Sequence, residues 1–194
     1  MSYYYRRIQN KLYNTLASIA YSLGIANCLF CTPLRLLQNS KKTEQIKILF
    51  VCQGNICRSC YAAIKLESLL SQSDFIISSA GLITTPGKAA NSTAIEIATS
   101  RNIDLTTHST TAISSLNLVD FDLIFTMEPW QQAELFKINR SLKGRVMLLG
   151  ALSVNAGYDI VIRDPFGKPT EFFENCFNQI DTALLELSKL LSSR

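Results

Sequence analysis

IKILFVCQGNICRS, Ile46–Ser59, decides how this chain folds. Its first half, IKILFVC (46–52), is a short and nearly unbroken apolar run, as expected of a strand buried on both faces in a parallel sheet. After the polar stretch that follows, apolar residues resume at helical spacing through Ala62, Leu66, Leu69 and Leu70, which predicts a helix over Ser59–Ser71. Strand, loop and helix in that order place CQGNICRS (52–59) at the C-terminal end of a strand, where α/β folds bind ligands. Downstream the alternation continues. FIISSA (75–80) reads as a strand, Ala89–Arg101 as a helix with Ala94, Ile97 and Ala98 inward, and FDLIFTM (121–127) as a third strand. A helix from about Pro129 to Asn139 follows, with Pro129 in a first-turn position. RVMLLG (145–150) reads as a fourth strand, and Glu171–Leu191 as a long helix with Phe173, Phe177, Ile180, Leu184, Leu187 and Leu191 on one face. The alternation implies an α/β fold, a parallel sheet covered by helices through right-handed crossovers.

Bulk properties narrow the function. The 194-residue chain is 47% hydrophobic and 18% charged, a globular composition, and its length suits one domain plus an extension. The net charge of +4 is unevenly placed. Arg6, Arg7, Lys11, Arg35, Lys41, Lys42 and Lys47 face only Glu44 in residues 1–47, and the remainder is slightly acidic. A nucleic-acid partner would want a basic body, so none is expected. The six cysteines, Cys28, Cys31, Cys52, Cys57, Cys60 and Cys176, are clustered in a chain rich in core residues, which reads as reduced thiols in the cytoplasm. His108 is the only histidine, so sites needing two histidine ligands are excluded.

The loop itself carries the chemistry. Its backbone N–H groups and the helix N-terminus behind it suit an oxyanion, and Gly54 is expected to supply conformational freedom and room there. Arg58 can curl back and grip two phosphate oxygens with its planar fork, which a lysine could not do. Cys52 sits among these dipoles and beside the guanidinium, a field that favours thiolate over thiol. Such a thiolate, held below a bound phosphate, is placed for in-line attack and a covalent phosphoryl-enzyme. The loop lacks the second glycine and the lysine of the G-x4-G-K-[ST] nucleotide loop. An oxidised Cys52 would be trapped by a nearby thiol, Cys57 on the curled loop or Cys60 beyond it.

FVCQGNICRS resembles the V-C-x-G-N-x-C-R-S signature of low-molecular-weight protein tyrosine phosphatases. The rest of residues 46–191 agrees in order. Ser79-Ala80-Gly81 resembles the family's S-A-G, Ile103-Asp104-Leu105 followed by His108 resembles the approach to its histidine, and Asp164-Pro165-Phe166 resembles its D-P-[YF] motif. The resemblance implies a sheet of order 2-1-3-4 in a domain over 46–194. It implies Cys52 as nucleophile, Arg58 as phosphate clamp and Asp164 as general acid. Gln53, Gly54, Asn55, Ile56, Cys57 and Ser59 would build the loop with support from His108, and Phe166 would wall the substrate ring. It further implies a phosphotyrosine protein as substrate, with a tyrosine kinase of an exopolysaccharide system as one such partner. No cofactor or metal is called for, since Arg58 and the loop N–H groups neutralise the phosphate. The chain departs from the pattern at Cys60 (usually proline), Ala63 (often acidic), Ser109 (usually basic) and Leu82–Lys88, which lacks a wall aromatic.

Other readings of this scaffold are weighed on particular residues. Thioredoxin-coupled arsenate reductases relay oxidation through two further downstream cysteines, and none lies between Cys60 and Cys176. Protein-arginine phosphatases usually carry threonine where this chain has Ile56. A non-catalytic phospho-binding module would usually have lost the nucleophile or the acid, and both are present.

Residues 1–45 read as a helical extension and linker. Ile8, Leu12, Leu16, Ile19 and Leu23 form an apolar stripe, Pro33 interrupts it, and QNSKKTEQ (38–45) is polar. Cys28 and Cys31 fall in an apolar stretch and read as small packing residues. Arg6, Arg7, Lys11 and Tyr3–Tyr5 suit an anionic membrane surface or a partner, while docking on the domain or a disordered arm fits the same pattern. A spanning helix is disfavoured by Asn14, Ser18, Ser22, Gly24 and Asn27. If the segment attaches to membranes, anionic vesicles should float the full chain but not a chain starting at Thr43, and salt should weaken the attachment. Docking or disorder leaves both in solution.

Overall fold

The computed structural model describes residues 45–70 and 74–192. The extension expected over residues 1–45 lies outside the described residues apart from Gln45. Strand β1 (Ile46–Cys52) leads to helix α1 (Arg58–Leu69), β2 (Phe75–Gly81) to α2 (Ser92–Ser100), β3 (Leu123–Thr126) to α3 (Pro129–Ile138), and β4 (Val146–Leu148) to α4 (Thr170–Ser192). The strands form one parallel sheet in the order β2-β1-β3-β4, as expected. Cys52, at the end of β1, lies opposite Gly81 at the end of β2.

β1 is central because both of its faces are apolar. Ile46, Ile48, Phe50 and Cys52 pack with Cys60 and Leu66 of α1, Ala94 and Ile97 of α2, and Phe177, Ile180 and Leu184 of α4. Leu49 and Val51, on the opposite face, pack with Ile113, Leu118, Phe121 and Leu135 of α3. A continuous apolar run is what a strand covered on both sides requires, and each large side chain so buried contributes roughly 1.5–3 kcal/mol. The apolar face of α4 is buried from Phe173 to Leu191 as its spacing predicts. A polar latch ties three helices together at one edge. Tyr61 of α1 stacks on Phe177 at 3.8 Å between ring centroids and donates to Asp181 at 2.7 Å. Arg101, at the end of α2, reaches the same carboxylate at 2.8 Å. Among the described residues no helix is long and apolar enough to cross a membrane.

The elements are shorter than their apolar patterns where caps or turns intervene. α2 begins at Ser92 rather than Ala89 because Asn91 caps it, accepting from the Ala94 N–H at 3.2 Å. β4 ends at Leu148, where the chain enters a 3-10 run, Leu149–Ala156. The following segment returns across Gly150 so closely that a Cβ there would lie 2.3 Å from the Ile160 carbonyl oxygen. From that crossing the chain is pinned again, by the Ile162 N–H donating to Met127 O at 3.0 Å, and so arrives at Asp164. Gly150→Ala should therefore destabilise the protein by roughly 1–3 kcal/mol in urea unfolding and displace the segment that carries Asp164.

Candidate active site

The loop Gln53–Cys57 is shaped by donors that take its carbonyls. The Leu82 N–H donates to Cys52 O at 3.0 Å, Ile83 N–H to Gln53 O at 2.8 Å, and Asn91 N–H to Ile56 O at 2.8 Å. His108 Nε2 lies 2.7 Å from Asn55 O, and Tyr61 N–H reaches Cys57 O at 3.3 Å. A trans peptide points its N–H opposite to its C=O. Turning these carbonyls to outside donors therefore turns the N–H groups of Gln53, Gly54, Ile56, Cys57 and Arg58 the other way, into the loop. A run of inward N–H groups at the start of a helix is an anion-binding concavity. The expectation for Gly54 needs correcting. The left-handed residue is Asn55, at φ 56, and Gly54 does not have positive φ. Asparagine tolerates that conformation because its short polar side chain can hydrogen-bond locally. A Cβ on Gly54 would meet only the Ile56 side chain, at 3.4 Å.

Asn55, fully buried, is the hub beneath the loop. Its Nδ2 donates to Ser59 Oγ and to Ser79 Oγ, both at 2.9 Å, and its Oδ1 accepts from Thr111 N–H at 2.9 Å. Its own N–H points at Cys52 Sγ at 3.2 Å. With Asn55 donating to it, Ser59 has its hydroxyl proton left to give. Cys52 Sγ lies at 3.0 Å and Ala80 O at 3.4 Å, so the sulfur is the nearer acceptor. A negative sulfur would thus meet two donors. Gly81 leaves space behind this arrangement: a Cβ there would come within 3.0 Å of the Gly54 carbonyl carbon and 3.1 Å of Asn55 Cβ.

Arg58 opens α1 and is only 1% exposed. Its Nη1 donates to Glu128 Oε1 at 2.7 Å and to Ile162 O at 3.0 Å, and its Nη2 pairs with Asp164 Oδ2 at 2.8 Å. Nε has no hydrogen-bond partner among the described residues. Burial works against the guanidinium charge, but the Asp164 and Glu128 carboxylates outweigh it and hold the Arg58 pKa above its usual value. Asp164 is both a turn starter and an ion-pair partner. Its Oδ1 accepts from Phe166 N–H at 3.3 Å while its other oxygen holds Arg58, and its side chain is 36% exposed. Phe166 is 58% exposed, which excludes a core role. Ile83, in the segment without a wall aromatic, is also exposed.

Among the described residues the other thiols, Cys57, Cys60 and Cys176, are buried and unlinked. Burial pushes the Cys57 and Cys60 thiols up, and the neighbouring Cys52 sulfur adds to the effect. Cys60 Sγ donates to Cys57 O at 3.2 Å. Cys176, on α4, is pushed up to about 12 by burial, with Arg58 pulling the other way. The structure thus brings the loop with Arg58, His108 and Asp164 together from three separate parts of the chain. Sequence reasoning left Glu128 and Ile162 unassigned. The available signal for Glu128 was its place just beyond β3, where α/β folds gather ligand-facing groups.

The chain is similar in sequence and fold to known proteins. The family profile of the low molecular weight phosphotyrosine protein phosphatases matches residues 47–194. The chain is 32% identical to the low molecular weight protein-tyrosine-phosphatase Wzb of Salmonella typhimurium over 149 residues, covering 76% of this chain and 95% of that protein. Among solved structures, AmsI of Erwinia amylovora, a tyrosine phosphatase, superposes with a TM-score of 0.67 at 30% identity, over 76% of this chain and 94% of that one. Wzb of Vibrio vulnificus, solved with benzylphosphonate, gives 0.66 at 32%, over 75% and 98%. The chain belongs to the low-molecular-weight phosphotyrosine protein phosphatase family.

His108 offers a titration test of the loop's support. A carbonyl only accepts, so Nε2 carries the proton it shares with Asn55 O. Burial lowers the His108 pKa below its ordinary 6.5, with the Asn55 hydrogen bond opposing. The unfolded chain then binds a proton that the folded chain does not, so this stability is complete above about pH 6.5 and is lost as the pH falls through the folded value. Urea midpoints measured between about pH 5 and 7.5 should show the slope, and His108→Asn should remove that share of it.

Proposed function

We propose that residues 46–194 form a catalytic domain that hydrolyses phosphotyrosine monoesters through a cysteinyl-phosphate at Cys52. The carrying observation is that Cys52 Sγ lies under a loop of inward N–H groups, with Arg58 opening the next helix and Asp164 already on Arg58 at 2.8 Å. In this reading the phosphoryl group takes the Nε and Nη2 edge of Arg58 and displaces Asp164 toward the ester oxygen. The Cys52 thiolate attacks phosphorus, the bond to the aryl oxygen breaks, and Asp164 gives the leaving phenolate its proton. Water then attacks the phosphocysteine, the Asp164 carboxylate takes its proton, and the P–S bond breaks to release phosphate. Ser59 steadies the departing sulfur with its hydroxyl. Gln53, Gly54, Ile56 and Cys57 provide loop backbone, Asn55 and His108 hold it in shape, and Phe166 flanks the ring.

The related Wzb of Vibrio vulnificus carries benzylphosphonate, which supports an aryl ester as ligand class. A protein described as an arginine phosphatase, from Geobacillus stearothermophilus, shares the fold with a TM-score of 0.68 at 25% identity over 76% of this chain and 94% of that one. Ile56 favours phosphotyrosine over that chemistry. The absence of cysteines between Cys60 and Cys176 disfavours the arsenate reductase reading. The substrate in the cell would be a phosphotyrosine protein, a tyrosine kinase among them, met in the cytoplasm with residues 1–45 supplying any membrane or partner contact.

Cys52→Ser should abolish turnover of aryl phosphates while keeping oxyanion binding, and chelators should leave the wild-type rate unchanged. Activity surviving the substitution would sink the mechanism. Asp164→Asn should slow phosphotyrosine hydrolysis by roughly 10²–10⁴-fold and activated esters much less. Equal losses across a leaving-group series would argue against Asp164 as the acid. A panel of phosphotyrosine, phosphoserine and phosphoarginine peptides separates the substrate classes.

A further inference from the structure

We propose that Glu128 is a positioning residue that aims the Arg58 guanidinium at the phosphoryl group, a role that rests on the phosphatase reading above. A guanidinium carries its five donors in a rigid fork, so fastening one end of the fork aims the other. Here the fastened end is Nη1, held by Glu128 Oε1 at 2.7 Å and by Ile162 O at 3.0 Å. The opposite edge, Nε and Nη2, is where a phosphoryl group can be gripped by two oxygens. Nη2 on that edge is held by Asp164, whose side chain is 36% exposed, whereas Glu128 is 12% exposed. When a phosphoryl group replaces Asp164, Glu128 becomes the anionic partner that stays.

The backbone of Glu128 is itself firmly set. It follows β3 and Met127, it is the N-cap of α3, and Pro129 stands at the first helical position. Gln131 Oε1 accepts from the N–H groups of Met127 at 2.8 Å and Glu128 at 3.2 Å. Position on the sheet is thereby passed through the Glu128 carboxylate to a side chain 70 residues earlier in the chain. A purely structural N-cap would not need this residue. Serine, threonine, aspartate and asparagine are the preferred caps, and glutamate is not among them. The Glu128 side chain also closes a capping box with Gln131, which a serine could do, but the reach to Arg58 needs the longer side chain.

Glu128→Ser separates the two roles, because serine can cap α3 but cannot reach Nη1. With a series of aryl phosphates it should lower kcat by about 10²-fold, the size expected for a displacement of about 1 Å in a positioned group. The factor should be the same for good and poor leaving groups, since the phosphoryl group is common to all of them. Glu128→Gln still reaches Nη1 with a neutral oxygen and should recover about tenfold of the loss. Thermal unfolding of the serine variant should stay cooperative but at a lower midpoint, because Arg58 keeps Asp164 and Ile162 O and loses one buried carboxylate. A folded Glu128→Ser enzyme with kcat within about twofold of wild type would overturn the proposal. So would a loss that grows as the leaving group worsens, which would place Glu128 behind Asp164 instead. If the serine variant does not fold, Glu128→Gln decides alone: a uniform tenfold fall in kcat supports the role, and an unchanged kcat removes it. Wild-type protein that hydrolyses no aryl phosphate would overturn the function itself and this role with it.

Discussion

A backbone N–H can face an anion only if the carbonyl of the same peptide faces something else. That constraint governs this molecule. The carbonyls of Cys52, Gln53, Asn55, Ile56 and Cys57 are taken by donors outside the loop, two of them from the stretch that follows β2 and others from Asn91, His108 and α1. Each donor belongs to an element whose place is decided by the sheet. The parallel register of β1 and β2 sets Gly81 beside Cys52, which in turn delivers the N–H groups of Leu82 and Ile83 to the loop. The buried apolar faces of β1 are therefore not merely a core. They fix the scaffold that holds a high-energy arrangement of parallel N–H groups in place before any ligand arrives.

Charge follows the same logic. A buried arginine needs anionic company, because desolvation alone would cost its charge dearly. Glu128 and Asp164 supply it from two different segments, one locked at the start of α3 and one on a turn that is partly open to solvent. That difference suits a site in which one carboxylate stays and the other works. The turn that bears Asp164 owes its position to the close crossing at Gly150 and the Ile162 tie to Met127. A packing feature outside the loop thus bears on the chemistry.

Beneath the loop, Asn55 combines a strained backbone with a fully engaged side chain. Its left-handed conformation reverses the chain after Gly54, and the amide that asparagine brings with it bridges Ser59, Ser79 and Thr111. Glycine would accept the conformation without the bridge, and glutamine would carry the same amide one methylene too far. His108 completes the support through the Asn55 carbonyl, and acid weakens the fold there because burial lowers the His108 pKa.

The amino-acid sequence alone determined the strand–loop–helix around Cys52, the alternation that makes the sheet parallel, and the buried face of α4, because apolar periodicity and a glycine-bearing loop are local properties of the chain. It also contained Cys52, Arg58, His108 and Asp164 in motifs legible residue by residue. Its pattern did not reveal that Asn55 rather than Gly54 takes the left-handed turn, since both residues permit it and the choice depends on Ser79 and Thr111. Nor did it reveal Glu128 and Ile162, which meet Arg58 across 70 and 104 residues. Those contacts exist only once β3 lies beside β1 and the segment after β4 folds back over Gly150, because proximity across the sheet is a property of strand order and not of sequence spacing.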